Sequence, residues 1–248
     1  MIPKIIHYAW IGPSMPDPIK SRVDEWKKEL PDWKFMFWNE NNYDFGKFAF
    51  TKNKISNQEW GYASDELRYD VLNKFGGFYL DTDMVIKKSL DPLRDKNLVM
   101  GFMYNNSLLT SFIGSEPNNS ILQQILEMYA NPDYDYLKNS LTSNPLITYF
   151  FSKSFNNFKL NGKTQEFIPN SFIYSRDYFC YPSRNGKANY AEHLFDNAWD
   201  HGNAYKGLKG KIKRNFRNIA PIMYGKISNY RGVKYTESVY KNINIKDS

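Results

Sequence analysis

One segment in the first third of the chain constrains the fold most, because it predicts a helix, a sharp reversal and a strand with no loop between them. Ser56 and Glu59 have the spacing of a capping box, which predicts a helix over about 57–75. Gly76 and Gly77 would end that helix, since glycine adopts a left-handed conformation without steric cost. The apolar run FYLDTDMVI follows directly, so the predicted strand carries two aspartates at its end.

Strand alternation places Tyr79 and Asp81 on one side of the sheet, together with Asp83 if the pleat continues. On the preceding helix, Asp65 and Arg68 are three residues apart and share a face. Taken alone, those two could be an ordinary surface ion pair. Two buried carboxylates repel each other unless a cation lies beside them, and oxygen ligands suit Mg²⁺ or Mn²⁺. The segment therefore predicts a divalent cation site at the end of the strand.

Apolar runs with strand and helix spacing alternate along the rest of the chain. The predicted strands cover residues 4–11, 33–38, 98–104 and 111–115, and the predicted helices cover residues 17–30, 118–130 and 145–155. This order predicts an α/β fold in which helices flank a Rossmann-like, mixed but mainly parallel sheet. Ligands bind such sheets outside the carboxyl ends of the strands.

Length and composition predict one domain of catalytic size, since 248 residues with 42% hydrophobic content can bury a sizeable core. Cys180 is the sole cysteine, which excludes an intramolecular disulfide. The N-terminal sequence lacks the features of a secretory leader, and no run approaches 18 apolar residues. We therefore expect a cytoplasmic protein.

The net charge of +7 is concentrated near the end of the sequence. Residues 1–202 carry 22 Lys and Arg against 24 Asp and Glu, whereas residues 203–248 carry 11 against 2. We accordingly divide the chain into a domain, 1–202, and a basic helical tail, 203–248. Apolar residues recur in the tail every three or four positions, at Tyr205, Leu208, Ile212, Phe216, Ile219 and Met223.

Two interpretations of this tail stay open. A basic amphipathic helix can lie on an anionic membrane surface, or it can pack on the domain with its basic face in water. The charge would also suit nucleic acid, but no recognised reading motif accompanies it, so we expect no nucleic-acid partner.

Three blocks of sequence resemble one family. ASDELRYDVLNKFGGFYLDTDM at 63–84 is similar to the signature of glycosyltransferase family 32, which includes bacterial capsule and O-antigen transferases and yeast initiating mannosyltransferases. It also resembles the glucosyltransferase domain of the large clostridial toxins. IIHYAWIG at 5–12 resembles the opening family motif, and NYAEHLFDNAW at 189–199 resembles the closing one. The resemblance implies a GT-A fold that binds a nucleotide sugar, with UDP expected, together with Mn²⁺ or Mg²⁺.

The resemblance also implies roles in binding the donor. Trp10 would stack on the nucleobase, and Asp65 and Arg68 would hydrogen-bond hydroxyls of the donor sugar or the ribose. Tyr79 would line the same pocket, and Trp199 would donate its indole N–H to the leaving diphosphate.

For the metal, the resemblance implies Asp83 as the direct ligand and His193 as a second ligand. Asp81 would contact the ribose or donor sugar and reach the metal mainly through water. With Arg68, the two aspartates are the expected catalytic residues. The other two histidines, His7 and His201, are expected to be structural.

The implied reaction is transfer of a hexosyl or N-acetylhexosaminyl group, with retention, to a glycan or polyprenyl-linked glycan in surface polysaccharide synthesis. The chain departs from the family at Ala198, where a serine is usual, and Asn197 is the candidate replacement for that phosphate contact. Two other functions are compatible with the residues alone. DTDMV with DNAWD at 196–200 also suits a haloacid-dehalogenase-type phosphatase, and the 17% aromatic content suits a non-catalytic carbohydrate-binding module.

Overall fold

The computed structural model describes residues 1–57, 59–131, 143–183, 185–196, 212 and 215–242. Its strands are β1 (Ile5–Ala9), β2 (Lys34–Trp38), β3 (Gly77–Leu80), β4 (Met84–Ile86), β5 (Leu98–Tyr104), β6 (Ser107–Ser115), β7 (Gln165–Ile168), β8 (Ser171–Tyr174) and β9 (Ala191–His193). Its helices are α1 (Asp17–Glu29), α2 (Ala49–Ser56), α3 (Trp60–Phe75), α4 (Ser120–Ala130), α5 (Ser143–Ser154) and α6 (Pro221–Asn242), with a 3-10 turn at Asp91–Leu93.

The main sheet has seven strands in the order β2-β1-β3-β6-β5-β8-β7. Strand β1 runs parallel to β2 and β3, and β5 runs parallel to β8. The other three neighbouring pairs are antiparallel. Strands β4 and β9 form a second, two-stranded antiparallel sheet. The predicted α/β fold with a mixed sheet is confirmed.

Helices cover both faces of the main sheet, as the alternation of β3 shows. Phe78 and Leu80 are buried in one apolar cluster with Trp26 of α1. Tyr79 points the other way, into a second cluster with Leu67 of α3. Helix α1 therefore packs on one face of the sheet and α3 on the other.

Helix α3 begins later than the sequence predicts, and the capping box is wrong. Ser56 is the last residue of α2, where its hydroxyl donates to the backbone oxygen of Lys52 at 2.9 Å. Glu59 precedes α3 without a side-chain cap. The end of α3 is predicted correctly, because Gly76 has a φ of 63° and its N–H donates to the backbone oxygen of Leu72.

The predicted strand FYLDTDMVI is divided by a turn. The Asp81 N–H donates to the Ser111 oxygen at 3.0 Å, and the Met84 N–H donates to the Asp81 oxygen at 3.0 Å. Strand β3 therefore ends at Leu80, and β4 leaves the main sheet to pair with β9. The pleat does not continue to Asp83, because the turn redirects the backbone before that residue.

The tail helix α6 packs on the hairpin between β5 and β6. The Asn105 N–H donates to Asn229 Oδ1 at 3.0 Å, and a Cβ added to Gly232 would lie 2.3 Å from the Tyr104 ring. The packed-helix interpretation thus holds for this part of the tail. No helix in the described ranges is both long and apolar enough to cross a bilayer. The division at residue 202 stays a prediction, since residues 197–211 lie outside the described ranges.

Candidate metal and donor site

Asp81, Asp83 and His193 form a cluster whose ligand atoms all lie within 4.8 Å of one another. The small sheet brings them together, because Met84 pairs with His193 across β4 and β9. The Leu194 N–H also donates to the backbone oxygen of Asp83 at 2.9 Å. As a result, His193 Nε2 lies 3.3 Å from Asp83 Oδ1. The structure thus joins the two blocks from which these ligands were predicted.

The donor set of this cluster fits a divalent cation. Two carboxylates and an imidazole supply oxygen and nitrogen ligands, and the side chains of Asp83 and His193 are only 13% and 9% exposed. Two neighbouring carboxylates repel each other, and a bound cation would relieve that repulsion.

Arg68 ties the donor-binding residues to the cluster. Its guanidinium is 3% exposed, with Nη2 at 3.1 Å from Asp65 Oδ1 and 3.6 Å from Asp81 Oδ1. Nη1 donates to the Thr110 backbone oxygen at 2.8 Å, and the guanidinium lies over the buried Tyr79 ring at 5.1 Å. The alternative of a surface ion pair is therefore wrong for Asp65 and Arg68, because both side chains are buried.

Neighbouring charged groups keep Arg68 and Asp83 ionised although both are largely buried. Burial acts to lower the pKa of Arg68, but the carboxylates of Asp81 and Asp65 outweigh burial and raise that pKa above its usual value. Burial acts to raise the pKa of Asp83, but the neighbouring His193 and other groups hold it below its usual value. Asp83 is therefore ionised at neutral pH, as a metal ligand must be.

Arg22 and Asp196 are residues that the sequence did not assign to the metal and donor site. Arg22 Nη1 donates to the Thr82 oxygen at 2.7 Å, and Nη2 lies 2.6 Å from Asp196 Oδ2. The Asp196 N–H in turn donates to Asp83 Oδ2 at 3.2 Å. Arg22 looks like any other charged residue of α1, and only long-range contact distinguishes it. The carboxylate of Asp196, which the phosphatase alternative would use, is paired with Arg22 instead.

Trp10 lies at the same edge of the sheet. It follows β1, which is parallel to β3 with His7 opposite Tyr79, so both strands end beside the aspartate turn. Its indole N–H donates to the Pro13 oxygen at 2.6 Å, and the residue is partly exposed. The residues named from the sequence that lie outside the described ranges are Asn197, Ala198, Trp199 and His201, together with Tyr205 and Leu208 of the tail.

This geometry agrees with a match to a known family. Residues 16–100 match the family described as "Glycosyltransferase sugar-binding region containing DXD motif". The chain carries a DXD glycosyltransferase region. The match includes the block at 63–84, and so confirms the resemblance on which Asp65, Arg68, Asp81 and Asp83 were chosen. The blocks at 5–12 and 189–199 lie outside it.

Relatives of the DXD region include fungal and viral proteins. Inositol phosphoceramide mannosyltransferase 1 of Schizosaccharomyces pombe is 29% identical over 106 residues, 38% of this chain and 32% of that protein. The uncharacterized glycosyltransferase L373 of Acanthamoeba polyphaga mimivirus is 30% identical over 142 residues, 51% of this chain and 55% of that protein. The mannosyl phosphorylinositol ceramide synthase SUR1 of Saccharomyces cerevisiae is 31% identical over 97 residues, 38% of this chain and 25% of that protein. The matched segments thus span between a quarter and about half of these relatives.

Among solved structures, the PaToxG glycosyltransferase superposes with a TM-score of 0.49 and 18% identity, over 62% of this chain and 70% of that one.

Proposed function

We propose that the chain is a metal-dependent, retaining glycosyltransferase of the GT-A type that uses a nucleotide-diphosphate sugar, with UDP as the expected nucleotide. The observation that carries the proposal is the cluster of Asp81, Asp83 and His193 beside buried Arg68, in which both aspartates and Arg68 belong to the matched DXD region. A carbohydrate-binding module would need neither a metal cluster nor a buried guanidinium.

Asp83 and His193 would hold the cation directly, with Asp81 reaching it mainly through water. An imidazole donor favours Mn²⁺, because Mg²⁺ prefers a full set of oxygen ligands. The bound cation would act as a Lewis acid toward the diphosphate.

The chain's own residues would bind and orient the donor. Arg68 and Asp65 would hydrogen-bond the sugar or ribose hydroxyls, Trp10 would stack on the base, and Trp199 would donate to the leaving diphosphate. Transfer breaks the bond between the anomeric carbon and the diphosphate oxygen, and forms one from that carbon to the oxygen of an acceptor hydroxyl, whose proton passes to the released diphosphate. With retention, the acceptor attacks the face from which the diphosphate leaves. Groups aimed at the oxygen where charge develops supply the main catalytic effect.

The proposal is tested with a panel of UDP and GDP sugars. We expect Mn²⁺-dependent hydrolysis of one donor, and a raised unfolding temperature with that donor and Mn²⁺, because a ligand of the native state alone stabilises it. Asp83→Ala should abolish both effects.

Asp24→Ala is the matched control, since Asp24 is an exposed carboxylate of α1 that pairs with Lys27 on the surface. Undiminished turnover by Asp83→Ala would refute the proposal. Phosphate release from simple monoesters would support the phosphatase instead.

The proposed acceptor is a glycan or lipid-linked glycan, in surface polysaccharide synthesis at the inner face of the plasma membrane. Two matched relatives are named as an inositol phosphoceramide mannosyltransferase and a mannosyl phosphorylinositol ceramide synthase, and these names support a lipid-linked acceptor. Six large apolar side chains are exposed among the described residues, and five of them lie in the tail: Ile212, Ile219, Met223, Tyr230 and Tyr235. On α6, Met223 and Tyr230 are seven residues apart on one face, with Lys226 between them. This face has the chemistry that an anionic membrane surface attracts.

Vesicle flotation tests this attachment in the full-length protein. We expect binding to vesicles with anionic lipid and none to neutral vesicles, and loss of binding in the double variant Ile219→Ser, Met223→Ser. Tyr235→Ser is the control, because Tyr235 is also exposed but lies on a different face of α6 from Met223. If the wild-type protein binds neither vesicle type, the proposed attachment to a membrane is refuted.

A further inference from the structure

Arg217 differs from the other basic residues of the described tail. Lys226, Arg231, Lys234 and Lys241 are exposed, whereas Arg217 is only 8% exposed. A buried guanidinium loses its hydration and destabilises the fold unless protein groups replace the lost water contacts. Arg217 therefore identifies a place where the tail makes a specific contact with the domain.

The partners of Arg217 lie on the strand that carries the candidate metal ligand. Nη1 donates to the backbone oxygen of His193 at 2.7 Å, and Nη2 lies 3.5 Å from Glu192 Oε2. The Tyr224 ring, at the start of α6, lies 5.8 Å from the guanidinium. A single side chain thus connects the tail to two consecutive residues of β9.

Apart from the contact of Nε2 with Asp83, the ring nitrogens of His193 have no hydrogen-bond partner among the described residues. A metal-binding histidine usually donates its second ring nitrogen to a protein acceptor, which fixes the ring. Nδ1 of His193 has no hydrogen-bond partner in the part of the chain that the structure describes. The ring packs edge-on against Phe195 at 4.2 Å, and the His193 N–H donates to the Cys180 oxygen. The direction of Nε2 therefore depends on where the backbone of His193 is held.

We infer that Arg217 is a positioning residue, which fixes the backbone of His193 so that Nε2 points toward Asp83 and the cation. This inference rests on the proposed metal-dependent function. It makes the tail part of the active site rather than an appendage, since a chain cut at residue 202 would lack Arg217. The guanidinium suits the task because it can donate to a backbone oxygen and face a carboxylate at the same time.

The test measures Mn²⁺ binding by the full-length protein directly, from the loss of the free Mn²⁺ signal in electron paramagnetic resonance, with and without UDP. We expect Arg217→Gln to weaken binding by about tenfold or more, the usual effect of losing a group that supports a metal ligand. Arg217→Lys keeps the donor to the His193 oxygen and should recover part of the affinity. It also serves as the second variant if Arg217→Gln folds poorly.

Asn229→Ala is the control, because it removes a contact between α6 and Asn105, which lies between β5 and β6 and not on β9. It should lower the unfolding temperature but leave Mn²⁺ affinity unchanged. Wild-type Mn²⁺ affinity in Arg217→Gln, or an equal loss of Mn²⁺ affinity in Asn229→Ala, would overturn this inference but not the proposed function. Absence of Mn²⁺ binding by the wild-type protein would overturn both the inference and the proposed function.

Discussion

His7 offers a quantitative test of how the helix that carries Asp65 and Arg68 is anchored. Its side chain is fully buried. Nδ1 accepts a hydrogen bond from the Trp38 indole at 3.1 Å, so Nε2 carries the proton and donates it to the Gly76 oxygen at 2.8 Å. The histidine is therefore structural, as expected, and it joins β1 to the end of α3.

Acid should weaken this anchor. Burial lowers the pKa of His7 from 6.5 to about 4. Between these values the unfolded chain binds a proton that the native state does not, so stability falls as the pH drops through this window. At 1.36 kcal/mol per pKa unit, the loss from His7 between pH 7.5 and 4.5 is about 2.5 kcal/mol.

The perturbation is His7→Gln, since glutamine keeps one donor and one acceptor but does not titrate. Urea unfolding of both proteins at pH 7.5 and 4.5 gives four free energies of unfolding. Carboxylates contribute equally to both proteins, so the wild type should lose about 2.5 kcal/mol more than the variant. An equal loss in the two proteins would refute the reasoning.

Three further predictions concern groups near the site. Arg22→Ala should weaken Mn²⁺ binding by about tenfold, because Arg22 holds the aspartate turn. Unchanged Mn²⁺ affinity, measured by electron paramagnetic resonance, would contradict this. Glu66 is buried, and burial raises its pKa to about 8. Its carboxyl group ionises at a lower pH in the unfolded chain than in the native state, so the contribution of Glu66 to the free energy of unfolding should fall by about 1.4 kcal/mol per pH unit between pH 4.5 and 8. In urea unfolding, the wild type should lose that amount relative to Glu66→Gln as the pH rises, and an identical pH dependence of the two proteins would exclude the buried acid as a contributor. Gly77 has a φ of 107°, and an added Cβ would lie 2.6 Å from the Ile5 oxygen, whereas Gly186 has open space around it. Gly77→Ala should therefore lower the free energy of unfolding by about 1–3 kcal/mol more than Gly186→Ala, and equal thermal stability of the two variants would be the contrary result.

Local chemistry decided what the sequence could predict. Hydrophobic spacing indicated most of the strands and helices, and Gly76 marked the end of α3 because its left-handed conformation is a local requirement. The capping box failed although its residues match the pattern. The Ser56 hydroxyl donates to the Lys52 oxygen in the last turn of α2. A pattern of four residues does not show that another helix ends at its first residue.

The sequence by itself determined the order of the elements and the DXD segment, because helix and strand periods, glycine conformation and short motifs are properties of neighbouring residues. Only the tertiary structure decided that the strand turns after Leu80, so that β4 pairs with β9 and His193 meets Asp83. It also decided that Arg22 and Arg217 contact the site. Such contacts depend on the packing of segments far apart in sequence, which no local pattern encodes.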